Sequence, residues 1–247
     1  RDFDRAIADF EQAIKLDGKI ALAFHNRGNA YARKRDYDRA ITDLDQAIKL
    51  DGNSALAYND RGLAYGARGE IDQAIKDFER AITLDPKYAP TFTNRGVAYG
   101  VKGDSERALA DFNQSIKLNP NYSFAFYNRG NAFYDKGDYD SALENYNQAV
   151  KLNPGDPVVY HNRGNAYANK REFDRAIADQ SQAIKLNPNY ALAYNDRGLA
   201  YGARGDMERA LADFDQSIKL NPRSAVANYN RGLTLRTRGE LDRAIAD

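Results

Sequence analysis

Apolar and small residues fall into helically spaced stretches of about fourteen residues, separated by short polar breaks. Residues 123–156 show the unit. Phe126, Gly130, Phe133 and Tyr134 share one side of a predicted helix from Ser123 to about Lys136. Gly137 suits a left-handed C-cap, and Asp138 suits the start of the next helix. That second helix carries Tyr139, Ala142, Leu143, Tyr146, Ala149, Val150 and Leu152 on one side. Pro154 ends it, because proline lacks the N–H that would continue the ladder. The expected unit is a helical hairpin, each helix roughly 20 Å long.

The unit repeats. An Arg-Gly pair stands at Arg27-Gly28, Arg61-Gly62, Arg95-Gly96, Arg129-Gly130, Arg163-Gly164, Arg197-Gly198 and Arg231-Gly232, a step of 34 residues with no insertion or deletion. A fixed period of this length means stacked supersecondary units. Gly130 and Ala142 remove bulk where the two helices of a hairpin cross, and Ala149 does so against the next copy. Sixteen residues after each arginine lies Asp43, Asp77, Asp111, Asn145, Asp179, Asp213 or Asp247. In a hairpin that spacing makes the two side chains face each other, so partly buried ion pairs such as Arg27–Asp43 are expected, with a phosphate-binding arginine row as the alternative.

Phe126, Gly130, Phe133, Ala142, Tyr146, Ala149 and Pro154 fall where tetratricopeptide repeats have their W-x₂-L-G-x₂-Y, A-x₃-F, A and P residues. The whole chain resembles that family. Copies read 21–54, 55–88, 89–122, 123–156, 157–190 and 191–224. Residues 1–20 resemble the second helix of an earlier copy, and 225–247 an incomplete last one. Departures include Arg before the glycine, Gly18 and Gly52 at the proline place, and Gln180 and Asn228 at aromatic places. The resemblance implies an all-α fold, a right-handed α-α superhelix (solenoid) of antiparallel helical hairpins.

The resemblance also implies that first helices line a concave face. The places that project into it carry an amide ladder of Asn26, Asp60, Asn94, Asn128, Asn162, Asp196 and Asn230, with Asn29, Asn131 and Asn165 three residues on. Beside the rungs stand His25, Asn59, Thr93, Tyr127, His161, Asn195 and Tyr229. Side-chain amides both donate and accept, so one per repeat can hold the backbone of an extended peptide, with aromatic and imidazole rings supplying pockets. Packing against the adjacent helix is the other reading of the ladder. Tyr127, Asn131 and Tyr134, with Asn128, form the richest cluster, and Tyr134 can equally pack between repeats. The family's Lys-Asn-Arg clamp for a C-terminal carboxylate is not matched: its lysine places hold His25, Asn59, Thr93, Tyr127 and His161, and its arginine place holds Asn or Asp. Gly66, Gly100 and Gly202 suggest close helix approach, or room for a ligand backbone. His25–Ala32 returns as His161–Ala168, and Tyr58–Gly69 as Tyr194–Gly205. Segmental duplication accounts for this; a periodic or dimeric ligand is the alternative.

Composition narrows the function. Lys plus Arg number 36 and Asp plus Glu 35, a net charge of +1, which gives no case for nucleic acid or an anionic membrane surface. Without cysteine there is no disulfide or thiolate chemistry, and no apolar run reaches the roughly 20 residues that span a bilayer. His25 and His161 lie four repeats apart and cannot share a metal or a substrate. No HExxH, nucleophile elbow or phosphate-binding glycine loop occurs. The cationic and acidic residues at the helix ends, such as Lys34 and Asp36, read as solvated surface suited to the helix dipoles. No enzyme, cofactor or metal is expected. The predicted role is a scaffold for an extended protein or peptide segment, with little salt dependence. The alternative is an assembly module that self-associates head to tail. Phe3, Ile7, Phe10 and Ile14 lack a partner helix, a short last helix at 240–247 exposes Leu241, Ala244 and Ile245, and residues 1–9 align with 239–247. Both ends read as cut inside a repeat.

Overall fold

The structure, a computed structural model, describes residues 2–240. Asp247, the predicted partner of Arg231, and Leu241, Ala244 and Ile245 of the predicted last helix lie outside the described residues. Contacts divide the chain into two units, Arg1–Asn128 and Arg129–Asp247. The first holds α1 (Phe3–Leu16), α2 (Ala21–Arg33), α3 (Tyr37–Leu50), α4 (Ala55–Ala67), α5 (Ile71–Leu84), α6 (Ala89–Val101) and α7 (Ser105–Leu118). The division falls within α8 (Ser123–Asp135). The second unit continues with α9 (Tyr139–Leu152), α10 (Pro157–Asn169), α11 (Phe173–Leu186), α12 (Ala191–Ala203), α13 (Met207–Leu220) and α14 (Ala225–Thr237). The described residues are thus all-α, and each copy is a helical hairpin, as the periodicity predicts.

The helix ends follow from local chemistry. Asp36, Asp104, Asp138 and Asp206 each cap a second helix by accepting from the amide three residues on, while Glu70 and Glu172 at the same place make no such bond. The turn before each cap needs a left-handed residue. Gly137 supplies it with φ 78°, whereas Arg35 and Arg171 adopt φ 63° there.

Within a hairpin the helices close on the glycine. A Cβ at Gly96 would lie 2.6 Å from a Phe112 ring carbon and 3.1 Å from the Ala108 carbonyl oxygen, so no other residue fits without displacing the helix. Ala108 beside it is 1% exposed. Gly66, Gly100 and Gly202 differ. A Cβ there would meet nothing within 3.8 Å, which corrects the expectation of close helix approach.

Successive helices pack in sequence within each unit, and first helices also touch the next first helix, α2 on α4, α4 on α6, α10 on α12 and α12 on α14. Within each unit, successive second helices make no such contact among the described residues. First helices therefore form the inner layer of each unit.

The arginine before each glycine fastens this arrangement. Arg27, Arg61, Arg95, Arg163 and Arg197 each pair through two nitrogens with Asp43, Asp77, Asp111, Asp179 and Asp213, at 2.6–2.8 Å. The expected pairs form. A third nitrogen reaches the second helix of the preceding copy, Arg61 to Asp45 at 2.6 Å, Arg163 to Asn147 at 2.8 Å and Arg197 to Ser181 at 3.0 Å, and Arg231 likewise reaches Asp215 at 2.7 Å. Hydrogen bonding to Asp77 raises the Arg61 guanidinium above its ordinary value despite burial. Arg129 meets neutral Asn145 instead, at 2.7 Å, and burial lowers its pKa. The helix-end charges, expected as solvated surface, also bridge copies: Arg68 to Asp38 at 2.6 Å, Arg204 to Asp174 at 2.7 Å, and Lys34 to Asp4 and Lys170 to Asp140. Their exposure leaves each worth little.

Candidate functional site

The rungs sit on first helices and are all partly exposed, Asn26, Asp60, Asn94 and Asn128 in the first unit, Asn162, Asp196 and Asn230 in the second. In the first unit Asp60 and Asn94 are tied across copies. His25 Nε2 lies 2.8 Å from Asp60 Oδ2, and Asn29 Nδ2 donates to the same oxygen at 2.8 Å. Asn59 donates to the other Asp60 oxygen at 3.0 Å, and its own carbonyl oxygen accepts from Asn94 at 3.0 Å. Burial pushes the Asp60 carboxyl up, but the hydrogen bonds from His25, Asn29 and Asn59 outweigh it and hold the group below the ordinary carboxylate range. Asn128 turns back on its own helix, donating to the Phe124 carbonyl at 2.7 Å, and Tyr127 stacks on Phe124 with ring centroids 6.2 Å apart.

The second unit is tied similarly. Asn131 Oδ1 accepts from Asn162 Nδ2 at 3.1 Å and from the Tyr146 hydroxyl at 2.8 Å. Asn195 donates to Asp196 at 2.9 Å and accepts from Asn230 at 3.0 Å. Gln180, at an aromatic place on α11, is a hub. It donates to the His161 carbonyl at 3.1 Å and to Asn165 Oδ1 at 2.8 Å, and its Oε1 lies 3.1 Å from His161 Nδ1. His161 Nε2 is 3.6 Å from Asp196.

Of the residues expected beside the rungs, Asn59, Thr93, His161 and Asn195 are buried between helices rather than open to the inner wall, while Tyr229 is exposed. Thr93 donates to Ser115 at 2.7 Å, and Ser115 to the Ala89 carbonyl at 2.8 Å. Among the described residues no buried side-chain nitrogen or oxygen lacks a partner, and no group of three His, Asp or Glu could hold a metal.

Cavities open at equivalent places in both units, between first helices of adjacent copies. One, of about 300 Å³, is lined by Asn29, Ala32, Arg33, Tyr37, Asp60, Leu63 and Ala64. The other, of about 270 Å³, is lined by Asn131, Tyr134, Asp135, Tyr146, Asn162 and Asn165. Tyr134 packs edge-on against Tyr139, ring centroids 5.4 Å apart, and its oxygen accepts from Asn169 at 2.9 Å. Burial raises its phenol pKa.

Family models described as tetratricopeptide repeat match residues 21–54, 55–88 and 89–122, residues 112–144 and 214–246, and residues 164–228. One described as TPR repeat matches 130–170. The chain belongs to the tetratricopeptide repeat family. No curated protein matches it by sequence. Solved structures share the fold. One is a chain of the APC/C hetero-tetramer Cut9–Hcn1, 18% identical with TM-score 0.83 over 94% of this chain; this chain spans 46% of that one. Another is a tetratricopeptide repeat protein from Parabacteroides merdae ATCC 43184, 21% identical, TM-score 0.71, covering 95% of this chain and 93% of that one. A third, YrrB, is titled a TPR protein with an unusual peptide-binding site; it is 26% identical, TM-score 0.54, over 74% of this chain and 95% of its own.

Against the tetratricopeptide repeat pattern, Gln180 is the residue whose role sequence reading missed. An amide at an aromatic place was visible; its three partners were not. Bonds such as Asn94–Asn59 and Asn230–Asn195, 35 residues apart, were likewise hidden, because their geometry depends on how one copy stacks on the next.

Proposed function

We propose that this chain is a non-catalytic protein-interaction scaffold, and that the inner wall of each unit holds an extended peptide through its amide rungs. The observation that carries this reading is the way the rungs are held. Asn94 and Asn230 each give a hydrogen to a buried amide of the preceding copy, Asn59 or Asn195, at 3.0 Å in both cases, and an Nδ2 group has a second hydrogen as well as a carbonyl neighbour. Asn94 and Asn230 are thus held in place while partly exposed, which reduces the ordering cost of binding a backbone. The bonds between copies, the packing reading, and peptide binding are in this arrangement complementary. The peptide-binding site named for YrrB supports the same reading.

Partner class is protein or peptide. The test compares capture of extended peptides by the unaltered chain and by the Asn94→Ala and Asn162→Ala variants. Both should lose binding, while Asn128→Ala, whose amide is turned onto Phe124, should lose less. Unchanged capture by all three would remove the rungs from the function.

A further inference from the structure

We infer that the cavity lined by Asn131, Tyr134, Asp135, Tyr146, Asn162 and Asn165 selects a lysine or arginine side chain of the bound peptide. The inference rests on the peptide-binding reading and adds a side-chain preference to it. Its lining carries one carboxylate, Asp135, and no cation. Asp135 stands at the end of α8, where the helix dipole disfavours an anion. The same place in the other copies holds Arg33, Ala67, Val101, Asn169, Ala203 or Thr237, so an acidic residue is peculiar to this copy. The α8 carbonyl end and the carboxylate together make a negative rim. The Tyr134 ring offers a π surface for an ammonium or guanidinium group.

The equivalent cavity in the first unit provides the contrast. Ala32 stands where Tyr134 stands, Arg33 where Asp135 stands, and Leu63 where Asn165 stands. The ring is gone, the rim charge is reversed and an amide has become apolar. Its one carboxylate, Asp60, already accepts from His25, Asn29 and Asn59. A cation is therefore favoured in one cavity and repelled at the rim of the other.

The experiment uses fluorescein-labelled ten-residue peptides of alternating glycine and alanine with one central lysine, arginine, norleucine or glutamate, followed by anisotropy with the full chain. An exposed ion pair plus a cation–π contact makes the lysine and arginine peptides about tenfold tighter than norleucine, with glutamate weakest. Asp135→Asn should bring lysine to the norleucine level, and Tyr134→Leu should reduce the preference, with helical circular dichroism unchanged in both. Equal binding of all four peptides, or a lysine preference that survives Asp135→Asn, overturns the side-chain assignment and leaves backbone binding standing. Absence of binding by every peptide overturns both.

Discussion

The two histidine copies share an eight-residue stretch, His25–Ala32 and His161–Ala168, yet their inner walls are wired differently. In the first, Leu44 of α3 lies against Gly28, and His25 is left to its rung neighbour Asp60 at 2.8 Å. In the second, Gln180 of α11 lies against Gly164 and binds the histidine ring, the histidine carbonyl and Asn165. His161 is 7% exposed, and it lies 3.6 Å from Asp196. Gln180 on the outer helix, together with the Tyr190 ring 5.0 Å from His161 where the first copy has Ser54, therefore changes what the shared inner stretch presents. Specificity in such an array can be changed from behind the surface that binds.

The largest effect tests what the two copies share. Asp43→Ala strands the largely buried Arg27 guanidinium, Asp179→Ala leaves Arg163 with only Asn147, and each should cost ~3 kcal/mol in urea unfolding. Similar losses would show that both copies are anchored alike; a wide disparity would break the comparison. Next is Gln180→Leu, which copies the first wiring onto the second. It removes the partner of Asn165 and of the His161 carbonyl, at about 1–2 kcal/mol, and should let His161 close on Asp196. A crystal structure of the variant with that distance still near 3.6 Å would refute the role given to Gln180. Smaller, and of opposite sign, are Gly66→Ala and Gly202→Ala. The space is open, so each should gain about 0.5–1 kcal/mol through helix propensity, equally in both units. Loss of peptide capture with that gain in stability would show that the ligand backbone uses the space.

The smallest concerns pH. The Asp60 carboxyl has a folded pKa below its unfolded value of about 3.9, so its contribution is full above that value and is lost as pH falls through the folded pKa. Asp60→Asn should flatten the fall of the urea midpoint below about pH 4. An unaltered acid profile would mean that the hydrogen bonds from His25, Asn29 and Asn59 do not favour the ionised form.

The hairpins, the crossing glycines and the Arg–Asp pairs were legible because they depend on spacing within one copy. Gly96 under Phe112 and Arg27 facing Asp43 follow from a helical period and a short turn. The rungs were legible as positions but not as bonds. Whether Asn94 turns to Asn59 or to solvent depends on the stacking angle between copies, which the order of residues does not state. Gly66, Gly100 and Gly202 misled for the opposite reason, since a glycine in a helix looks the same whether a neighbour or empty space adjoins it.

The arginine that holds two second helices at once has a mechanical consequence. Melting α5 would deprive Arg61 of Asp77, and melting α3 would deprive it of Asp45, so damage to one hairpin loosens the hold on the next. Nearest-neighbour coupling of this kind makes an array give way by spreading from a breach rather than copy by copy.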